Sequence, residues 1–492
     1  MHRHRKRTFA PPSLHLLAGS LAVALALGAA SGAAAATALS RDELLDRAGR
    51  ASDGENPLAE QWKLRHPPTP PRPQGSVTHL VTNCDDSGAG SLRDAIGDAA
   101  SGDTIDLRGL TCSTITLTTG ALATGVDDLL LVGPGMNSLS ISGNNSSPVL
   151  VHLGTGRLGI EGLTVIDGAK YTSGSANAFG GCVYSQGGVR MVDAGAKYCL
   201  AQADGTGAAR GGGVYARLGA EMLDSVISGN EVRAASAFSA GGGLHTYGGV
   251  VAKYSIFRNN AAYSSGGSSG MGGAASIAGN VAIGFVTVHG NSAEQIGGLV
   301  LFGVGAGTNL EIANSTITDN TATDSAVGSG VFIGRDAIIS NSTITGNVEA
   351  NSSHTSYGAG LFVAYDVDVD LRSTIVSGNH RLDDTTSVPS DIGTPTGSLS
   401  VVGGSHNLIG AAANFGPMPG DTLFDVDPRL GPLANNGGRT PTMLPLPHSI
   451  AINAGSGSGD YDQRGLGYPR RVGAGVDIGA IESDVLFADG FD

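Results

Sequence analysis

The sequence says one phrase twice in close succession: NSTITDN at 314–320 and NSTITGN at 341–347. Extending the comparison finds the same ending six times. Ile227 to Asn230, Phe257 to Asn260, Val288 to Asn291, Ile317 to Asn320, Ile344 to Asn347 and Val376 to Asn379 are each a large apolar residue, two small or polar ones, then asparagine. Successive asparagines are 30, 31, 29, 27 and 32 residues apart. A second word alternates with the first: GGCVY (180–184), GGGVY (211–215), GGGLH (241–245), GGAAS (272–276), GGLVL (297–301), GSGVF (328–332) and GAGLF (358–362). A period near thirty sustained this long is the mark of a chain built from stacked units.

Within Ser315–Asn320 one isoleucine alternates with threonines, the two-residue period of a strand with one buried face. A single unit buries too little apolar area to stand alone, but stacked units pair each strand with its equivalent in the next coil. Composition agrees: 78 glycines with only 5% aromatic residues suit short strands and tight turns better than a layered globular core. The expectation is an all-β parallel solenoid. At roughly 4.8 Å per rung, about ten coils would make a rod on the order of 50 Å long. Asparagine, tolerant of left-handed backbone, is expected to turn the chain out of each strand and to bond along the stack. Gly168 and Gly195 stand in the asparagine position of two earlier, degenerate coils.

The boundaries follow. Residues 1–36 read as an export signal: a basic start, an apolar run over 14–30 and an Ala-x-Ala site at 34–36. Residues 37–76 are a spacer ending in a linker with five prolines at 66–75. Residues 77–125 form an N-terminal cap and first strands. Ser91 and Asp94 there frame a short amphipathic helix that would cover the end of the stack. The repeats span 126–412, a closing segment 413–483, and a short tail 484–492.

Removing residues 1–36 takes away four bases and no acid, moving the net charge from −14 to −18. Such a surface argues against nucleic acid. No transmembrane segment is expected after cleavage. The four cysteines, Cys84, Cys112, Cys182 and Cys199, suit disulfides in an exported chain. Three pairings exist, and sequence proximity favours Cys84–Cys112 with Cys182–Cys199.

The repeat words resemble the two motifs of the polymorphic outer-membrane proteins. VTNCDDSGAGSLRDAI near the start, and DPRLGPLANNGGRTPTMLPLPHSIAINAG with DQRG and VDIGAIE near the end, resemble the exported bacterial proteins grouped as choice-of-anchor Q. The resemblance spans roughly 77–482. It implies a right-handed parallel β-helix of the pectin-lyase-like kind and a secreted or outer-surface address, and it implies no established reaction.

The remaining question is chemistry. Asp366, Asp368 and Asp370 alternate with valines, so all three carboxylates face one side of a strand, with Arg372 following. Such a set could take a Ca²⁺ ion or serve an acidic-polysaccharide lyase, or simply be a solvated strand face. No cofactor is required by any motif. Asp319, Asp324, Asp383 and Asp384 lie in or near turns and would have to meet across coils to act as glycosidase acids. His245 and His289 occupy repeat positions held elsewhere by Tyr, Phe or Thr, which suits a solvent-facing or stacking role rather than catalysis. Asp427, Arg429, Asp462, Arg464, Asp477 and Glu482 gather in the closing segment, as an ion-paired cap or a site. The favoured expectation is a non-catalytic scaffold that binds an extracellular glycan or a surface protein. The alternative is a polysaccharide lyase or glycoside hydrolase.

Overall fold

The computed structural model describes residues 76–483 apart from 267–268, 304–308, 325–326, 351–357, 384–385 and 458. The export signal, the spacer up to residue 75 and the tail lie outside the described residues. The chain winds as a parallel β-solenoid. Named in the order a coil visits them, sheets I and II hold twelve strands each, sheet III nine, sheet IV four and sheet V eleven. One full coil runs 188–192 (I), 195–197 (II), 200–203 (III), 209–210 (IV) and 214–216 (V) before returning to sheet I at 219–223. Every strand pairing is parallel except the hairpin 380–383 with 386–389 that ends sheet III, as a stack of equivalent strands requires.

The apolar residues of the first repeat word stack directly on one another. Ile227 pairs with Phe257, then Val288, Ile317, Ile344 and Val376, rung on rung in sheet II, and all are buried in the main core. The asparagines form a second column beside them. Each Asn Nδ2 donates to the Oδ1 of the asparagine one coil on, at 2.8–2.9 Å, from Asn230 through Asn260, Asn291, Asn320 and Asn347 to Asn379. The same Oδ1 also accepts the backbone N–H of the asparagine before it. The second Nδ2 proton goes to a carbonyl of the preceding coil, such as Phe257 O for Asn291.

The left-handed turn, however, belongs to the residue before each asparagine: Gly229, Asn259, Gly290, Asp319, Gly346 and Gly378 all have φ between 53° and 79°. The asparagine supplies only the bonding. The register also corrects one placement. Gly168 does occupy the ladder position, but its successor is Cys199; Gly195 is a sheet II residue paired with Thr164 and Val226.

Both ends of the ladder are finished differently from its middle. Cys199 donates its N–H to Asn230 Oδ1 and is disulfide-bonded to Cys182. At the other end Asp391 accepts the N–H and Nδ2 of Asn379 through Oδ1 and the N–H of Ala411 through Oδ2. The second repeat word is the corner into sheet V. Its first glycine carries positive φ at 180, 211, 241 and 272, and a Cβ on the second, at Gly212, would collide with the carbonyls of Glu231 and Gly242.

The upper end is closed by the helix Leu92–Gly97. Ser91 caps it by accepting the Asp94 N–H, and Leu92, Ala95 and Ile96 join the main core. Asp94 bonds the N–H of Gly90 rather than completing the box on Ser91. A disulfide, Cys84–Cys112, ties this cap to the first coil.

The closing segment does more than cover the lower end. Phe415 and Met418 pack on the main core there, but from about residue 427 the chain folds back along the outside of sheet II. Its Ile478 and Ala451 pack on Ile375 and Leu408. Ala480 N–H donates to Thr343 Oγ1 at 3.0 Å, Thr316 Oγ1 donates to Gln463 Oε1 at 2.6 Å, and Gln463 Nε2 donates to Thr287 Oγ1 at 2.9 Å. Farthest up the rod, Arg439 pairs with Asp224 and lies over the Tyr254 ring. This arm is knotted by buried charge. Arg464 forks onto Asp462, Arg470 sits 3.2 Å from Glu482, and Asp477 Oδ2 accepts the Ser483 N–H. Asp427 and Arg429 stay outside the knot in an exposed turn of their own. Burial outweighs Arg470 and pushes the Glu482 carboxyl up to about 8. Burial raises Asp477 as well.

Two outcomes follow from these arrangements. Asn291→Ala, which orphans the buried N–H and Nδ2 of Asn260 and takes a donor from both Phe257 O and Asn320 Oδ1, should destabilise the rod by about 2–4 kcal/mol in urea unfolding, whereas Asn259→Gly, in the left-handed turn beside it, should be nearly neutral. Because the docked arm holds its acid protons more tightly than a free arm, its stability is full below the ordinary glutamate range and falls as the pH climbs through about 8. Hydrogen exchange over 440–480 should therefore quicken from about pH 5.5 to about pH 8.5, and Glu482→Gln should flatten that dependence.

Candidate functional site

The aspartate row predicted for chemistry is engaged in stacking. Val367, Val369 and Leu371 point inward and the three aspartates outward, as the alternation requires. But Asp366 Oδ1 accepts the N–H of Leu399 and Asp368 Oδ1 that of Val401, both on the next coil at 2.9 Å. Asp370 is held by Arg372 through two bonds of 2.8 and 3.0 Å. Among the described residues no group of three or more His, Cys, Asp and Glu side chains is placed to hold a metal ion. Arg335 donates to Gly303 O.

The other candidates disperse. Asp319 is the left-handed residue of a sheet II–III turn, Asp324 lies exposed past sheet III, and Asp383 sits in the terminal hairpin. Asp384 falls outside the described residues. The closing segment brings Asp462, Arg464, Asp477 and Glu482 together, with Arg470 as the partner that sequence spacing does not mark. Their side chains are almost wholly shielded, which makes the cluster a structural knot rather than a place for substrate.

The bases divide by face. On sheet I, Arg190 pairs with Glu161 and lies 3.2 Å from Glu221, and Arg157 reaches the same Glu221 at 4.0 Å. On sheet II the outward position one residue past the core apolar residue reads Lys197, Ser228, Arg258, His289, Thr318 on successive coils. Among the described residues neither Lys197 nor Arg258 has a carboxylate partner. Rungs about 4.8 Å apart put Arg258 about 10 Å from Lys197 and about 5 Å from His289. The row lies toward the sheet III edge, beside the strip of sheet II that the arm covers.

Each member is set by its rung. Gly195 has no side chain, and the Lys197 stem folds over it. Burial and then the neighbouring Arg258 charge lower the Lys197 amine below its ordinary value. His289 is lowered by burial, then by Arg258, with Asp319 opposing. Arg258 itself is exposed and touches Ser228 Oγ at 3.3 Å. Tyr198, in the turn after Lys197, exposes 63% of its surface beside the row. Sequence reading marks His289 but passes over Lys197, Tyr198 and Arg258, because each belongs to a different repeat and only the register aligns them.

His245, by contrast, is buried in a stack with Tyr215 at 5.7 Å. No described helix is long and apolar enough to cross a membrane. No protein-family model matches this chain, and no curated protein is similar to it. Among solved structures it is similar to a crystal structure of pectate lyase Pel9A, over 83% of this chain and 97% of that one, at 12% identity and a TM-score of 0.36. Values that low carry no activity from one protein to the other.

Proposed function

We propose that the chain is a secreted or cell-surface scaffold of the choice-of-anchor Q kind, which binds an extended acidic glycan along sheet II. The observation that carries this reading is that Lys197 and Arg258, in line with His289, have no carboxylate partner among the described residues of a chain whose net charge is −14. Two cations two rungs apart on one face suit a linear polymer carrying a repeated carboxylate. Tyr198 offers an exposed ring against which a sugar face can pack.

A second reading is a polysaccharide lyase working at the same place. What favours it is Lys197: an amine that burial and then the Arg258 charge hold below its ordinary value is suited to take the proton next to a uronate carboxyl, with Arg258, two rungs on, steadying the charge that develops. A hydrolase has less support, since among the described residues no carboxylate pair converges on this face.

One set of measurements separates the readings. The chain should bind polygalacturonate with an affinity that falls steeply with salt, and Lys197→Gln with Arg258→Gln should weaken it at least about tenfold. Equal binding to a neutral galactan, or no change in the double variant, would sink the proposal. Unsaturated product released with or without Ca²⁺, and lost in Lys197→Gln, would replace the scaffold reading with the lyase.

A further inference from the structure

A different corner of the rod holds a base with a stronger unmet demand. Arg210 lies on sheet IV where that sheet meets sheet V, and only 8% of it is exposed. Its guanidinium packs against the Phe179 ring at 5.5 Å and the Tyr247 ring at 5.8 Å, and Nη1 donates to Tyr247 Oη at 2.6 Å. Among the described residues that is its only hydrogen bond; Nε is buried and has none. Among the described residues no carboxylate pairs with it. One coil on, His245 is 5% exposed, and neither ring nitrogen has a hydrogen-bond partner.

A guanidinium removed from water costs several kcal/mol unless an anion answers it, and two ring faces with one hydroxyl repay only part of that. Among the described residues no carboxylate forms an ion pair with Arg210. Tyr184, Tyr215 and His245 line sheet V in a stack, Ala240 follows Arg210 on sheet IV, and the other charged side chain acting on Tyr215, Arg217, is again a base. Burial, then Arg210, holds the His245 imidazole well below its ordinary value, so it stands neutral with one N–H to give. With Nη1 engaged by Tyr247, the Nε–Nη2 edge remains, and that edge fits the two oxygens of a carboxylate. Phe179, Tyr184 and Tyr247, each half-buried, rim the approach.

We infer that the angle between sheets IV and V is a carboxylate-binding site, in which Arg210 takes both oxygens of one carboxylate and His245 donates a further hydrogen bond. The site is on another face from Lys197 and Arg258 and does not rest on the glycan reading. The carboxylate has two sources, a sugar acid or a free organic acid.

Titration calorimetry of the full chain with D-galacturonate, acetate and galactose tests the inference. Saturable binding of galacturonate alone identifies a sugar-acid site, and binding of both acids identifies a site for small carboxylates generally; galactose should not bind. Arg210→Met should reduce the affinity at least tenfold, whereas Arg217→Met and the double substitution of Lys197 and Arg258 should leave it. Tyr247→Phe keeps the guanidinium but frees Nη1, and should shift the affinity severalfold even if Arg210→Met fails to fold. No carboxylate-dependent binding by the unaltered chain, or binding that survives Arg210→Met, would overturn the inference.

Discussion

The structure depends on one column of buried amides. An asparagine side chain inside a protein must satisfy two donors and an acceptor, and here each does so through the ladder residues one coil on either side and one backbone carbonyl of the preceding coil. That demand fixes the repeat. A coil may lengthen or shorten in its loops, as the spacings from 27 to 32 residues show, but its asparagine must return to the same axis. The residue before it must then reverse the backbone, which is why glycine, asparagine or aspartate precedes every rung. The column also has a direction, because amide protons point one way along it. It can begin on a backbone N–H, as at Cys199, and it must end on a group that only accepts, which Asp391 provides.

Much of this is legible in the residues. Ile317 and Asn320 can be placed from their spacing alone, one inside and one in the ladder, because each does the same thing in every coil. Legibility ends where two neighbours divide one role between them, since the left-handed turn expected of asparagine is made by Asp319 and Gly346 just before it. Gly195 is hard to place because a degenerate coil keeps its strands and loses the letters that mark them. The arm is not legible at all. Gln463 and Thr440 hold it through side-chain hydrogen bonds to residues about 150 positions away or more, and nothing local distinguishes such a glutamine from one in water. Asp366 and Asp368 show the converse, with orientation readable and employment hidden, since their partners at 399 and 401 are backbone N–H groups that any residue supplies.

Charge is distributed by the same register. On sheet I Arg190 lies between Glu161 and Glu221 and is neutralised there, while on sheet II Lys197 and Arg258 flank Ser228 with no carboxylate partner among the described residues. An acidic composition thus conceals two cations on one face. Neither face could be inferred from the total, and both become visible once equivalent residues of successive coils are read as neighbours.

The backward course of the arm has a consequence in time. Its landing strip runs from Asp224 to Ser373 and is complete only when most of the rod has formed, and the arm follows all of those coils in the chain, so it is synthesised after them. Until it arrives, the threonine stripe of sheet II, with Ile375 and Leu408, stands open to water and to other chains. The arm therefore serves as a closing signature on a finished rod. A chain that stops short of it would leave that strip, Ile375 and Leu408 included, uncovered.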